Sequence, residues 1–568
     1  MRVTGVGAST GISISKAMVI TEQELDITKK THSSADNEMS RFHDAIKKAS
    51  TEITNLRDQT NKNVGRSEAL IFDAHLMILN DPELISETTK LIESEPVTTE
   101  YAFEKVCANF ISIFENMDND YMRERALDIK DVSRRVLCHM LGISTVSTSA
   151  ISENVIIVAK DLTPSDTAQL NKTFVKGFIT DIGGRTSHSA IMARTLEIPA
   201  VVGTEKATSI IKNGDILIID GEEGLIIINP SEEETQHYNN LIKNIEDEKE
   251  LLKKLINESS ITLDGNTIEL AANIGSHNDI ENVLKNGADG IGLFRTEFLY
   301  MDRDSLPSEE IQFNAYKSVL EAMKDKPVVI RTLDIGGDKE LSYLNLPKEM
   351  NPFLGYRAIR LCLDQSDIFI TQLRALLRAS IYGNLKIMFP MIATIEELLE
   401  VKKIVTETKD TLIKEGIDIG KYELGMMIEI PATAVLAHQF AKHVDFFSIG
   451  TNDLIQYTFA ADRMNEKVSY LYQPLNPALL HLINTAVRAA HAENIWVGMC
   501  GEMAGDKKVL PILVGLGLDE LSMSASSILK VKDKLRNLSK KDVIRIAEQA
   551  LECQTEIEVE KLLEEYYA

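Results

Sequence analysis

The sequence predicts a multidomain α/β protein whose C-terminal part closes into a (β/α)8 barrel. Three observations carry that expectation. From residue 261 onward, apolar strand-like runs alternate with helical stretches over about 300 residues, the rhythm of a TIM barrel. Residues 154–229 hold further β-branched runs separated by turn residues, which is the texture of a smaller α/β unit. Between residues 23 and 141 only one glycine, Gly65, and two prolines, Pro82 and Pro96, interrupt apolar residues at helical spacing.

Taken in order, residues 1–20 are short apolar pieces broken by glycine and read as strands. The block from 23 reads as helical, with "SEALIFDAHLMIL" and "DIKDVSRRVLCHML" as its clearest amphipathic stretches. Strands return at 154–160, 175–180, 215–220 and 224–229, with a helix expected over 187–196. The simplest organisation makes the helical block an insertion into one α/β domain. That assigns 1–22 and 144–230 to the α/β domain and 23–143 to the insertion. Residues 231–260 are dense in charge with few apolar positions and read as a solvated helical linker; too few heptads are present for a coiled-coil seam.

The barrel, 261–568, is expected from eight runs: 267–274, 290–298, 327–336, 385–392, 424–430, 445–453, 495–503 and 520–525. An open doubly wound sheet is the alternative reading of the same alternation.

Bulk properties exclude several classes. The net charge is -25, so the chain repels nucleic acid and anionic membranes, and neither is expected as a partner. Five cysteines at irregular spacing, with no CxxC, argue against a disulfide framework or a zinc site. No run approaches the roughly 18 apolar residues of a membrane span, and no signal peptide is evident. A reduced, cytoplasmic protein without membrane insertion is expected.

Barrel enzymes carry their chemistry at the C-terminal ends of the strands. Here the apolar runs end in loaded residues: Arg295, Arg331, Glu429, Asn452 with Asp453, and Cys500, with Arg463 in a following loop. Each alone reads as an ion-paired, solvated or packed residue; their convergence on one rim points to a site. Three arginines suit a small ligand carrying phosphate, carboxylate or both. Glu429 and Asp453 suit a hard divalent ion such as magnesium, completed by water and substrate oxygens. Cys500 adds an acid or a nucleophile.

A second feature is "GGRTSHSAIMAR", residues 183–194. A lone histidine is most often a packed residue. His188, however, follows two glycines and two hydroxyls, Thr186 and Ser187, at an expected helix start. Such a terminus directs amides and a positive dipole end toward an anion. That environment suits a phosphoryl group carried on the imidazole.

These stretches, with "DLTPSDTAQL" (161–170), "GIGLFRTEFLYMDR" (290–303), "RTLDIGGDKE" (331–340), "NPFLGYRAIR" (351–360), "FFSIGTNDLIQYTFAADR" (446–463) and "VGMCGEMAGD" (497–506), resemble Enzyme I of the sugar phosphotransferase system. The resemblance covers essentially the whole chain. It implies that His188 forms a tele-phosphohistidine, and that Arg295, Arg331, Arg463, Asn452 and Asp453 bind phosphoenolpyruvate. It implies further that Glu429 and Asp453 hold magnesium and that Cys500 protonates the enolate. Thr167 would hydrogen-bond the histidine, and Arg357 would lie close to the barrel site. The inserted helices would dock the phosphocarrier protein HPr through residues 67–84, and the barrels would pair as a homodimer.

The nearest alternative is a pyruvate phosphate dikinase or phosphoenolpyruvate synthase. Those enzymes add an ATP-grasp domain, for which no block is visible beside the helical one. A non-catalytic scaffold is the other class; the presence of His188, Cys500 and both carboxylates speaks against it.

Overall fold

The computed structural model describes the chain apart from residues 21–24, 26, 32–33, 64–65, 116–119, 144–150, 152, 164–165, 168–169, 172, 185–186, 197, 302, 304, 338–340, 342, 345, 348 and 464, and apart from the side chains of 61–63, 66–68, 120–124, 188, 195 and 466. The chain forms two compact units, Met1–Glu246 and Asp247–Ala568.

The first unit is built on an eight-stranded mixed sheet. Its strands are β1 (Arg2–Thr4), β2 (Val6–Ser9), β3 (Ile12–Ile20), β4 (Val155–Ala159), β5 (Val175–Thr180), β6 (Ala200–Val202), β7 (Ile216–Asp220) and β8 (Leu225–Ile228), in the order β1-β8-β7-β3-β4-β5-β6-β2. The N-terminal strands complete the sheet, as their sequence suggests. The three-residue β6 was not expected from sequence. β4, "VIIVA", is buried at every position because it sits mid-sheet with both faces covered. Its alternate residues feed two cores. Val155, Ile157 and Ala159 pack with Ala190, Met192, Ala193 and Leu196, whereas Ile156 and Val158 pack with Ala207 and Ile211.

β3 and β4 pair in parallel, Lys16 to Ile20 against Val155 to Ala159. The helical block lies in the connection between them. Its helices are α1 (Ala35–Asn63), α2 (Arg66–Leu79), α3 (Pro82–Ser94), α4 (Thr99–Glu115) and α5 (Asp120–Leu141). They close on a core of their own that includes Phe42, Phe72, Phe103 and Val136. α3 shows why such elements start where they do: the Asp81 side chain accepts from the amides of Glu83 and Leu84, and Pro82 occupies the first turn.

The expected helix after the histidine motif is α6 (His188–Leu196), and the charged stretch forms α7 (Glu232–Lys253), in which only Leu252 is buried.

The second unit settles the choice between barrel and open sheet. Strands β9 (Glu269–Ile274), β10 (Gly290–Arg295), β11 (Pro327–Arg331), β12 (Asn384–Phe389), β13 (Tyr422–Ile428), β14 (Phe446–Ile449), β15 (Trp496–Met499) and β16 (Glu520–Met523) form a closed barrel. Every pairing is parallel, including the closing one between β16 and β9. Among the described residues, no helix is long and apolar enough to cross a membrane.

Candidate active site

Barrel register places the site. Arg295 and Arg331 are the last residues of β10 and β11 and stand opposite each other in the ladder. Glu429 follows β13 by one residue, and Cys500 follows β15 by one. Asn452 and Asp453 do not end a strand: β14 stops at Ile449, and both residues lie in the first turn of α8 (Thr451–Phe459). Arg463 lies exposed beyond that helix. All seven barrel residues expected from sequence line one cavity of about 560 Å³, together with Arg357.

Close backbone approach shapes this rim. A Cβ built on Gly501 would fall 1.6 Å from the Thr451 hydroxyl oxygen, so only glycine lets the Cys500 turn meet the start of α8.

Two residues that the sequence reading passed over organise the arginines. Arg331 is buried, with Nη2 donating to Glu297 Oε1 at 2.7 Å and Nη1 paired with Asp334 Oδ2 at 2.9 Å. Burial works against its charge, but Asp334, Glu297 and Glu429 outweigh it and hold the guanidinium above its ordinary value. Arg357 Nη2 pairs with Asp334 Oδ1 at 2.8 Å and approaches Asp453 Oδ2 at 3.6 Å. The signal was present in "LFRTEF" and "RTLD", where an acid follows each arginine by two or three residues.

Glu429 is buried, and its Oε1 accepts from the Met391 amide at 2.6 Å. Burial pushes its carboxyl upward, the charges of Asp453 and Asp334 push the same way, and Arg331 and Arg357 offset part of this. The cavity wall carries six carboxyl side chains, those of Glu297, Asp334, Glu429, Asp453, Glu502 and Asp506, against four arginines. An anion would meet repulsion there unless a cation joined it. That donor set fits a divalent ion with oxygen preference. Among the described residues, no three His, Cys, Asp or Glu stand close enough to hold a metal by themselves, so water or ligand oxygens would complete the shell.

Asn452 Oδ1 accepts from the Tyr472 hydroxyl at 3.0 Å, which leaves the amide hydrogens for other acceptors. The Cys500 thiol donates to the Ile449 carbonyl at 3.8 Å. Burial pushes it up to about 12, so the group stands ready as a protonated thiol rather than a thiolate.

In the first unit, Ser187 caps α6: its Oγ accepts from the Ala190 amide at 3.4 Å and donates to the Gly184 carbonyl at 2.8 Å. Gly183 has φ +112, in the left-handed region that favours glycine. His188 is the first residue of α6, and its side chain lies outside the described residues. Thr167 is buried, with its hydroxyl donating to the Thr163 carbonyl at 3.2 Å. Its expected contact with His188 involves that undescribed side chain.

Comparison with known proteins places this architecture in a class. Three regions match PEP-utilising enzyme families: the N-terminal region over residues 4–125, the mobile domain over 151–224 and the PEP-binding domain over 249–540. The fold is therefore that of a phosphoenolpyruvate-utilising enzyme. The phosphoenolpyruvate-protein phosphotransferase of Staphylococcus carnosus is 56% identical over 100% of this chain and 99% of its own. That of Bacillus subtilis is 57% identical over 99% of both chains, and that of Priestia megaterium 58% over 95% of both. The chain belongs to the phosphoenolpyruvate-protein phosphotransferase family.

Proposed function

We propose that this chain moves the phosphoryl group of phosphoenolpyruvate to His188 and then to a histidine of HPr, releasing pyruvate, as the first step of sugar uptake by the phosphotransferase system. The observation that carries this reading is the convergence of arginines, two carboxylates and a protonated thiol on one cavity at the barrel's C-terminal rim.

Arg295, Arg331 and Arg463 would clamp phosphate and carboxylate, with Asn452 donating its amide hydrogens. Fixed cations of this kind offset charge on the transferring group, the main contribution a protein makes to phosphoryl transfer. Glu429 and Asp453 would hold magnesium, which when bound supplies further positive charge against the substrate oxygens. His188 Nε2 attacks phosphorus in line, the bond to the enolate oxygen breaks, and Cys500 gives its proton to the enolate carbon. Thr167 would steady the imidazole.

The domain assignment belongs to this reading: 1–22 with 144–230 carries the histidine, 23–143 docks HPr, 231–260 links and 261–568 holds substrate and the homodimer contact. The docking helices are supported by Leu70 and Met77 on α2, which stand 43% and 76% exposed. One histidine must serve both the barrel and HPr, so the α/β domain would swing between them. A reaction running free in the cytoplasm fits the lack of any membrane-spanning helix among the described residues. Full-length relatives bearing the phosphotransferase name leave the dikinase or synthase alternative unsupported.

Incubation with radiolabelled phosphoenolpyruvate tests the reading. The expected product is one acid-labile, base-stable phosphoryl group per chain, lost in His188→Ala and on chelation of magnesium; label persisting in His188→Ala refutes it.

A further inference from the structure

The site residues described so far follow β10, β11, β13, β14 and β15, and none belongs to β9 or β16, which close the barrel. Side chains alternate along a strand, so Glu269, Ala271 and Asn273 share one face of β9, and Glu520 and Ser522 share one face of β16. The opposite face of β9, with Leu270, Ala272 and Ile274, packs in the core shared with the surrounding helices. Glycines of β10 make room for the inward set. A Cβ built on Gly292 would fall 2.0 Å from Glu520 Oε1 and 2.5 Å from Ser522 Oγ, and one on Gly290 would fall 2.7 Å from Glu269 Oε1. Asn273 is the last inward position of β9, and it lines the active-site cavity.

The Asn273 amide is committed to the protein. Its Oδ1 accepts from the hydroxyl of the buried Ser522, which fixes the orientation of the amide. Its Nδ2 donates to the Cys500 carbonyl at 3.3 Å and to the Ser522 carbonyl at 3.4 Å. An amide nitrogen has two hydrogens to give, and these two carbonyls take both. The strand order is β15-β16-β9, so the side chain reaches past β16 to a residue that follows β15. From the other side Cys500 is held by β14. Its amide donates to the Ile449 carbonyl at 3.1 Å, and its thiol donates to the same oxygen at 3.8 Å. The peptide groups before and after the Cys500 Cα are thus tied to different strands, and the place of the sulfur follows from both ties.

We propose that Asn273, locked by Ser522, is a positioning residue that sets the Cys500 thiol against one face of the enolate. The inference rests on the reading of Cys500 as the acid that completes pyruvate. In that step the S–H bond breaks and the sulfur keeps the electron pair. The C=C pair of the enolate takes the proton and forms the third C–H bond of the methyl group, while the enolate oxygen becomes the ketone. Water returns a proton to the sulfur before the next turnover, and nothing is oxidised or reduced. A thiol held in one place delivers to one face of a planar carbon. Such a transfer is sensitive to placement, since a shift of about 1 Å can cost about a hundredfold in rate. Asn273 has no amide hydrogen left for substrate, so it acts on the proton step through Cys500 and not on substrate affinity.

Stereochemistry reads that placement. Phosphoenolpyruvate carrying deuterium at one of its two C3 positions is turned over by the full-length enzyme, with magnesium and HPr, in tritiated water. The handedness of the chiral methyl group in pyruvate is then determined. The wild type should give a single hand. Asn273→Asp keeps the shape but puts an oxygen against the Cys500 and Ser522 carbonyls in place of the two hydrogens. Its kcat should fall by about tenfold to a hundredfold with KM for phosphoenolpyruvate little changed. Its methyl group should be of mixed hand, because water then reaches the enolate from either face. Ser522→Ala, which frees the amide and leaves both carbonyls in place, should move the same readouts in the same direction by less. Wild-type kcat in Asn273→Asp, a slow Asn273→Asp that still gives a single hand, or a loss carried by KM overturns the positioning role. If Asn273→Asp does not fold, Ser522→Ala is judged by the same criteria. A methyl group of mixed hand from the wild type removes Cys500 as the acid, whereas a single hand from wild type and variant alike removes the clamp alone.

Discussion

Arg331 and Arg357 are held by opposite oxygens of a single carboxylate, that of Asp334, at 2.9 Å and 2.8 Å. Two buried guanidinium groups thereby share one fixed counter-charge and one orientation. Asp334→Asn removes the charge while keeping the shape. Breaking a buried pair from one side typically costs about 3–5 kcal/mol. The barrel's unfolding midpoint should fall accordingly in calorimetry, and KM for phosphoenolpyruvate should rise by more than kcat falls.

Cys500 offers a test of the proton step. Burial pushes its thiol up to about 12, so it keeps its proton throughout the neutral range. Removing a placed general acid typically costs about 10²–10⁴-fold in rate. In Cys500→Ala, phosphoenolpyruvate binding by calorimetry should survive while pyruvate formation slows by that order. Full activity would end the acid assignment. Alkylation of Cys500 by iodoacetamide at neutral pH should also be slow, because the thiolate is the reactive form.

Glu269 predicts a pH dependence of barrel stability. Its folded value is raised from 4.5 to about 7, chiefly by burial. The unfolded carboxyl releases its proton first, so the unfolded state binds fewer protons in that interval and stability declines with rising pH. This group's contribution is fully present below about pH 4.5 and is lost as pH rises through about 7. Thermal unfolding of the barrel should show that slope, and Glu269→Gln should flatten it.

Gly501 predicts a steric effect confined to the rim. Its missing Cβ would otherwise lie 1.6 Å from the Thr451 hydroxyl oxygen. Overpacking of this kind commonly costs about 1–3 kcal/mol. Gly501→Ala should fold yet lose most of kcat/KM, because the Cys500 turn and the Asn452–Asp453 turn shift apart. Adding Thr451→Ala should recover part of the loss.

How much of this could be read from sequence depended on where each residue lies in its element. Arg295, Arg331, Glu429 and Cys500 were legible because a barrel brings its strand ends to one rim, so a polar residue ending an apolar run marks the site. The helix start after Thr186 and Ser187 was legible because helix starts are local. Glu269 and Glu520 were not legible. Each opens its strand and reads like a solvated edge, and only three-dimensional closure shows the glycines opposite. Asp334 was missed because its value lies in bridging Arg331 to Arg357, which stands more than twenty residues away in the chain. β6 was missed because three residues carry too little pattern to separate strand from turn.

The pairing of β3 with β4 has a consequence for how the protein is made. Lys16–Ile20 must find Val155–Ala159 across the whole helical block. On a ribosome the central ladder of the sheet therefore waits, with β3 emerged and unpaired, until the block has been translated. The block closes on its own core of Phe42, Phe72 and Phe103, so it is free to fold during that wait. Ordered release of this kind would spare the nascent chain a long-range search, because the folded insertion brings its two ends, and hence the two strands, back together.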